Sequence, residues 1–198
     1  ATTICANEVI DFTDMTSGGV TSWSWTFEGG DPATSSEQNP EGVMYDTPGT
    51  YDVSLVSTNS AGSDSLNKVD YIEVMVLPDA PESNSETVCY GEVVPDLNAT
   101  GDEIQWYDDE MLTNLVHTGN TFATGETNPG TYTYYVTQTS GGCESPYTMV
   151  SLTIHALPTV GLPPFTSVCV DETSFTLTGG TPEGGIYSGT GVTGDMFD

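Results

Sequence analysis

Pro-Gly-Thr-Tyr occurs twice in the chain, at positions 48–51 and 129–132. Each copy opens an alternation of apolar and polar residues: Tyr51, Val53 and Leu55 in the first, Tyr132, Tyr134 and Val136 in the second. That period of two belongs to a strand with one buried face. The copies stand 81 residues apart, and Val76-Leu77-Pro78 returns as Ala156-Leu157-Pro158 at a distance of 80. A repeat this long is one small β-module; solenoid repeats run to roughly 20–50 residues. The spacing predicts modules at 1–76 and 77–156 and the front part of a third at 157–198.

Within these modules helix signals are nearly absent. Short runs rich in Thr, Val and Tyr alternate with Gly, Asn, Asp and Pro, the pattern of an all-β antiparallel sandwich. In the first module Trp23, Trp25 and Phe27 alternate with Ser24 and Thr26, so the three aromatics share one face. That face is predicted to be core, together with Tyr51. Asn59-Ser60-Ala61-Gly62 is expected to turn a hairpin. In the second module Trp106 and Tyr132 are the expected core residues, and Tyr132–Gln138 is expected to pair across Ser140-Gly141-Gly142 with Cys143–Ile154.

Charge narrows the partners. The chain holds 29 Asp and Glu against 1 Lys or Arg, a net charge of −28, yet only 15% of its residues are charged. It is poor in bases, Lys68 being the single one, rather than rich in acids. Nucleic-acid binding needs several cations to displace counterions, and adhesion to anionic lipid headgroups needs a basic cluster; both are excluded. No apolar run approaches the ~18 residues of a membrane span. With no initiating Met, no signal peptide and a partial third module, the chain reads as a segment of a longer protein.

The ordered set Val9-x-x-Phe12-Thr13-Asp14, Trp23-Ser24-Trp25-Thr26-Phe27-Glu28-Gly29-Gly30, Asn39-Pro40, Tyr45-x-x-Pro48-Gly49-Thr50-Tyr51 and Asn59-x-x-Gly62-Ser63-Asp64 resembles the PKD (polycystic-kidney-disease) repeat. The second module carries Val88-Cys89-x-Gly91, Trp106-Tyr107-Asp108, Thr131-Tyr132-x-Tyr134-x-Val136 and Gly141-Gly142-Cys143-x-Ser145, and resembles a bacterial Ig-like domain. Ser167-Val168-Cys169-Val170-Asp171-Glu172 echoes Thr87-Val88-Cys89-Tyr90-Gly91-Glu92 and suggests a further Ig-like copy. Such domains occur together in large secreted, adhesin-type surface proteins of the Bacteroidota. The resemblance implies extracellular display and export by the type IX route. It also implies service in adhesion or gliding. It points any Ca²⁺ site to Asp14, Glu28 and Asp31, although the family run Trp-x-Phe-Gly-Asp-Gly is replaced here by Phe27-Glu28-Gly29-Gly30-Asp31. Ser65, within Asp64-Ser65-Leu66, fits a bacterial O-glycosylation pattern, and Asn98-Ala99-Thr100 is an N-glycosylation sequon.

Of four cysteines, Cys89 and Cys143 fall in the second module near its first and last strands, and a disulfide between them is expected. Cys169 matches Cys89 by position. Cys5 has no partner in its own module, so it is either free or bonded outside the chain.

Nothing positions a catalytic centre. Gly189-Thr190-Gly191-Val192-Thr193-Gly194 has dinucleotide-loop spacing but no following helix, so it is expected to be a β-turn. His117 and His155 lack zinc-ligand companions. The expected function is therefore non-catalytic: a stalk, fibre or adhesin segment. Its partners would be neighbouring domains of the same chain, copies of itself in fibres, and surface proteins or polysaccharides. Pro-containing joints, Leu77-Pro78-Asp79-Ala80-Pro81 and Leu157-Pro158, would limit bending. The alternative is a substrate- or carbohydrate-binding spacer of a secreted protease or glycoside hydrolase.

Overall fold

A computed structural model describes residues 1–165, 167–169 and 171–198; Thr166 and Val170, the latter within the run Ser167–Glu172 that echoes Thr87–Glu92, lie outside the described residues. Every regular element among the described residues is a strand. No helix there is long and apolar enough to cross a membrane.

The first sandwich is built from β1 (Thr2–Cys5), β2 (Glu8–Ile10), β3 (Ser22–Phe27), β4 (Thr34–Ser35), β5 (Val43–Tyr45), β6 (Gly49–Asn59) and β7 (Gly62–Met75). Its larger sheet has the order β1-β7-β6-β3-β4, and β2 and β5 form a smaller antiparallel sheet. Alternation in β3 works as expected. Trp25 and Phe27 are buried, Trp23 is half-buried, and Ser24 and Thr26 face water. Phe12, Val43, Tyr45, Val53, Leu55, Ile72 and Val74 complete the core. Tyr51 is half-buried and packs against this cluster rather than within it.

The hairpin β6–β7 turns at Ser60-Ala61, with Asn59 opposite Gly62. Asn59 fastens the turn by accepting the Ala61 N–H (2.8 Å) and donating to the Gly18 carbonyl (2.9 Å). One pairing was not visible in the sequence. β1 runs parallel to β7, with Thr2 opposite Ile72 and Cys5 opposite Met75. Parallel pairing carries the N-terminal strand in the direction of the closing strand, so Cys5 lies at the same end of the sandwich as the exit of β7.

The second sandwich comprises β8 (Glu82–Ser83), β9 (Glu86–Cys89), β10 (Leu97–Thr100), β11 (Gln105–Tyr107), β12 (Leu115–Thr118), β13 (Thr121–Phe122), β14 (Gly130–Thr137), β15 (Thr139–Ser140), β16 (Cys143–Glu144) and β17 (Thr148–His155). Its sheets have the orders β12-β11-β14-β17-β9 and β13-β10-β8, with β15–β16 as a separate hairpin. Trp106 is fully buried and donates its indole N–H to the Gly119 carbonyl at 2.8 Å. Phe122 packs on it at 5.5 Å and meets Tyr134 edge-on at 5.0 Å. Tyr134, not Tyr132, is the buried tyrosine of β14.

The last strands, β18 (Phe175–Thr176), β19 (Val192–Thr193) and β20 (Met196–Phe197), form a small sheet of order β18-β20-β19. By contacts the chain divides into two units. One holds Ala1–Glu86, Pro95–Gly125 and Tyr132–Leu152; the other holds Thr87–Val94, Glu126–Thr131 and Thr153–Asp198.

Candidate functional site: a disulfide-clamped joint

Three segments meet where the first sandwich hands over to the second: the end of β1, the end of β7 with its linker, and the hairpin β15–β16. Each is fixed by its own local chemistry.

At the end of β1 the chain makes a tight turn. The Cys5 N–H donates to Glu8 Oε2 (2.9 Å), Ala6 N–H to the Met75 carbonyl (3.0 Å) and Asn7 N–H to the Tyr45 carbonyl (2.7 Å). Asn7 takes φ of 70° here, a left-handed conformation that asparagine tolerates better than most residues.

The hairpin β15–β16 turns at Gly141-Gly142, with φ of 63° and 88°. Two successive positive φ angles define the hairpin turn that matches strand twist, and glycine adopts them without a Cβ penalty. A polar net holds the hairpin base. Gln138 and Ser145 exchange two bonds, Gln138 N–H to Ser145 Oγ (3.0 Å) and Ser145 N–H to the Gln138 carbonyl (2.9 Å). Glu144 Oε1 accepts from the fully buried Thr137 hydroxyl at 2.7 Å and from Tyr107 at 3.3 Å. Burial, and then the Glu144 charge, push the Tyr107 phenol above its ordinary value.

The linker is stitched to this same net. The Gln138 side-chain amide donates to the Asp79 carbonyl at 2.7 Å, and the Thr148 hydroxyl donates to the Pro81 carbonyl at 2.6 Å. Leu77 packs against the first core.

A disulfide closes the arrangement. It joins Cys5 to Cys143, with the two Cα atoms 5.6 Å apart, a separation normal for a bridge. The Gly142 carbonyl lies 3.8 Å from Cys5 Sγ. Cys143 is buried and Cys5 half-buried. The expected pairing of Cys89 with Cys143 is therefore corrected: Cys89 is free and exposed, as is Cys169. Nor is Cys5 free or bonded outside the chain.

The physical reason lies in the parallel β1–β7 pair, which delivers Cys5 to the joint where the Gly-Gly hairpin docks. The sequence does mark which cysteine differs from the others. Cys5-x-x-Glu8, Cys89-x-x-Glu92 and Cys169-x-x-Glu172 are three copies of one motif. Cys89 repeats the Cys5 geometry, its N–H donating to Glu92 Oε2 at 3.3 Å, and Tyr90 N–H reaching the His155 carbonyl at 2.8 Å. Three equivalent cysteines leave Cys143 as the one of a different kind.

Other expected site residues are placed apart from the joint and from one another. Asp14 is occupied by its own loop. It accepts from the Thr16 N–H (2.8 Å) and hydroxyl (2.7 Å), the Trp23 indole (2.7 Å) and the Gln38 amide (3.3 Å). Burial pushes its carboxyl up, but these donors outweigh that and hold it below the usual value of 3.8. Glu28 instead accepts the Asp52 N–H at 3.1 Å, and Asp31 exchanges backbone bonds with Met44 at 2.9 Å. The structure does not bring the three carboxylates together, and no group of three or more His, Cys, Asp or Glu residues able to hold a metal ion occurs among the described residues.

Ser65 is exposed on β7, its N–H bonded to Asp64 Oδ1 at 2.9 Å. Asn98 is exposed on β10, with its side-chain oxygen accepting from the Thr121 hydroxyl at 3.0 Å. In the stretch Gly189–Gly194 a turn at 189–191 leads into β19, with Val192 N–H donating to the Gly189 carbonyl at 3.2 Å. His117 stacks on Phe122 at 5.0 Å and bonds the Thr121 carbonyl through Nε2. A cavity of about 790 Å³ in the last segment is lined by Leu162, Phe165, Phe175, Leu177, Ile186 and Phe197 among others. Its lining is mainly apolar and holds no convergent set of titratable groups.

Comparison with known proteins fits the two sandwiches. Residues 1–74 match the PKD domain model, and residues 78–155 match the model of the CHU_C-associated Ig-like domain. Residues 1–74 are a PKD domain and residues 78–155 a bacterial Ig-like domain. The boundary between the two matches falls at residues 75–77, and the disulfide crosses it.

No curated protein matches the chain. Solved structures that resemble it include titin domains Z1Z2 in complex with telethonin, at 18% identity over 79% of this chain and 93% of that one, TM-score 0.32. Extracellular domains 3–5 of Drosophila OTK match at 11% identity over 84% and 66%, TM-score 0.30. Sidekick-1 immunoglobulin domains 1–5 match at 13% over 79% and 38%, TM-score 0.30. Likenesses this distant carry no functional argument.

Proposed function

We propose that this PKD–Ig pair is a non-catalytic, load-bearing segment of a secreted surface protein, serving as stalk or fibre in an adhesin. The observation that carries the reading is the clamped joint: a disulfide ties together domains that each own a core, and Leu77 of the linker packs against the first core. A flexible tether between a catalytic domain and its substrate would need none of these ties. The disulfide also favours an oxidising, extracellular compartment. The charge of −28 supports the reading, because like-charged modules stay soluble and resist collapse onto one another. Its partners are then neighbouring modules of the same polypeptide, with export by the type IX route and a part in adhesion or gliding.

A glycan array probed with the purified chain separates this reading from a sugar-binding spacer. A passive segment retains no glycan above background. Saturable binding that is lost on replacing the exposed Tyr90 or Tyr147 with Ala overturns it.

A further inference from the structure

Tension on a surface segment enters at one end of the chain and leaves at the other, and it follows the shortest covalent path. In this chain that path is not the backbone. From Ala1 it reaches Cys5, crosses the disulfide to Cys143, and continues through β16 and β17 toward Asp198. We propose that the Cys5–Cys143 disulfide is a redox-gated load shunt that keeps residues 6–142 out of the force path. This goes beyond the adhesive reading and does not depend on what the segment contacts; adhesion requires no hidden length, so the two can fail separately.

The sequestered stretch is most of the described fold. It contains β2 to β15, the whole linker and the tryptophan cores of both domains. The bridged positions lie 138 apart, which at ~3.3–3.6 Å per extended residue stores about 480 Å of chain. While the bridge is closed, only the short N-terminal arm and the stretch beyond Cys143 can lengthen, about 200 Å at the same rise.

Reduction changes the load-bearing element. Tension then enters β1 and leaves through β7. These strands are parallel, with Thr2, Thr3, Ile4 and Cys5 opposite Ile72, Glu73, Val74 and Met75. Pulling the start of one and the end of the other shears all four pairs at once, so the first sandwich yields only when that patch gives way.

The chemistry of opening is thiol–disulfide exchange with a dithiol reductant. Its thiolate attacks one bridge sulfur, the S–S bond breaks, and the reductant's second thiol resolves the mixed disulfide. The protein gains two electrons and two protons, and the reductant leaves as a disulfide. Cys143 is 1% exposed whereas Cys5 is half-buried, so attack falls on Cys5 Sγ and Cys143 departs as the thiolate.

Single-molecule stretching of the whole chain through its two ends tests this. The oxidised chain is expected to release no more than about 200 Å, and adding dithiothreitol is expected to release about 480 Å more. Cys5→Ser releases the full length without reductant, and Cys89→Ser behaves as the parent. Because Cys5→Ser could impair folding, the comparison of oxidised and reduced parent chain stands as the primary measurement. A reductant-dependent gain near 190 Å would assign the bridge to Cys89 and Cys143 and overturn the proposal. So would release of the full length by the oxidised chain.

Discussion

Tyr45 and Tyr51 pack with tilted rings in the first sandwich, centroids 5.5 Å apart, yet removing their hydroxyls should act in opposite directions. The Tyr51 hydroxyl donates to the Thr47 carbonyl at 2.7 Å. Tyr51→Phe loses that bond, a cost of about 0.5–1.5 kcal/mol. Tyr45 is fully buried, and its hydroxyl has no hydrogen-bond partner among the described residues. An unsatisfied buried hydroxyl costs about 1–3 kcal/mol of lost hydration. Tyr45→Phe should therefore stabilise the first sandwich by about 1 kcal/mol, raising its midpoint by roughly 4–8 °C.

A second readout follows from titration. Burial, with a smaller contribution from Tyr51, pushes the Tyr45 phenol up to about 12 from 10.0. The folded pKa is the raised one, so the stability attached to the neutral phenol is complete below pH 10 and is lost as pH climbs through about 12. Two units correspond to about 2–3 kcal/mol. Tyr45→Phe should flatten the alkaline limb across that window, while Tyr51→Phe keeps the limb and removes only the smaller contribution to the Tyr45 shift. The assay is thermal and urea unfolding followed by the fluorescence of Trp23 and Trp25, repeated from pH 7 to 12 in a Trp106→Phe background. A lower midpoint for Tyr45→Phe at pH 7 would mean that the hydroxyl is satisfied after all, and the reasoning would fall.

Asp14→Ala should cost about 1 kcal/mol, reduced from the buried value because the carboxylate is partly exposed, and shift Trp23 emission to the red. In the parent, Asp14 has its folded pKa below 3.8, so its contribution is complete above the unfolded pKa and disappears as pH falls through the folded one; acid titration of Trp23 fluorescence reads this. Gly29→Ala should destabilise by about 2 kcal/mol or more, because φ is +69° and a Cβ there would overlap the Tyr51 ring; a loss under 0.5 kcal/mol in urea would refute the tight approach. Thiol titration of the native chain should count two reactive groups, Cys89 and Cys169, and a non-reducing digest should link the peptides of Cys5 and Cys143.

The Gly29 geometry also explains the departure from the PKD consensus. A Cβ at Gly30 would come within 2.9 Å of Phe27 Cβ and of Val43 Cγ1, so Gly29-Gly30 serves close packing around the two tyrosines, and the Asp31 backbone forms a bridge to Met44. The acidic positions of this turn were legible in the sequence; their separation in space was not. Tyr132 and Tyr134 make the same point, since alternation gives which residues share a face but not which tyrosine of the face is deepest.

Residue order alone carried the all-β sandwiches, the PKD and Ig-like motifs matched by the family models, the aromatic face of β3 and the hairpin at Asn59–Gly62. All of these are local: period-two burial and turn chemistry act within a few neighbours. Tertiary structure alone decided the disulfide. A bond between positions 138 apart depends on β1 lying parallel to β7 and on a Gly-Gly hairpin of the next domain reaching the same end. Those placements are set by docking of finished elements, which no local pattern encodes.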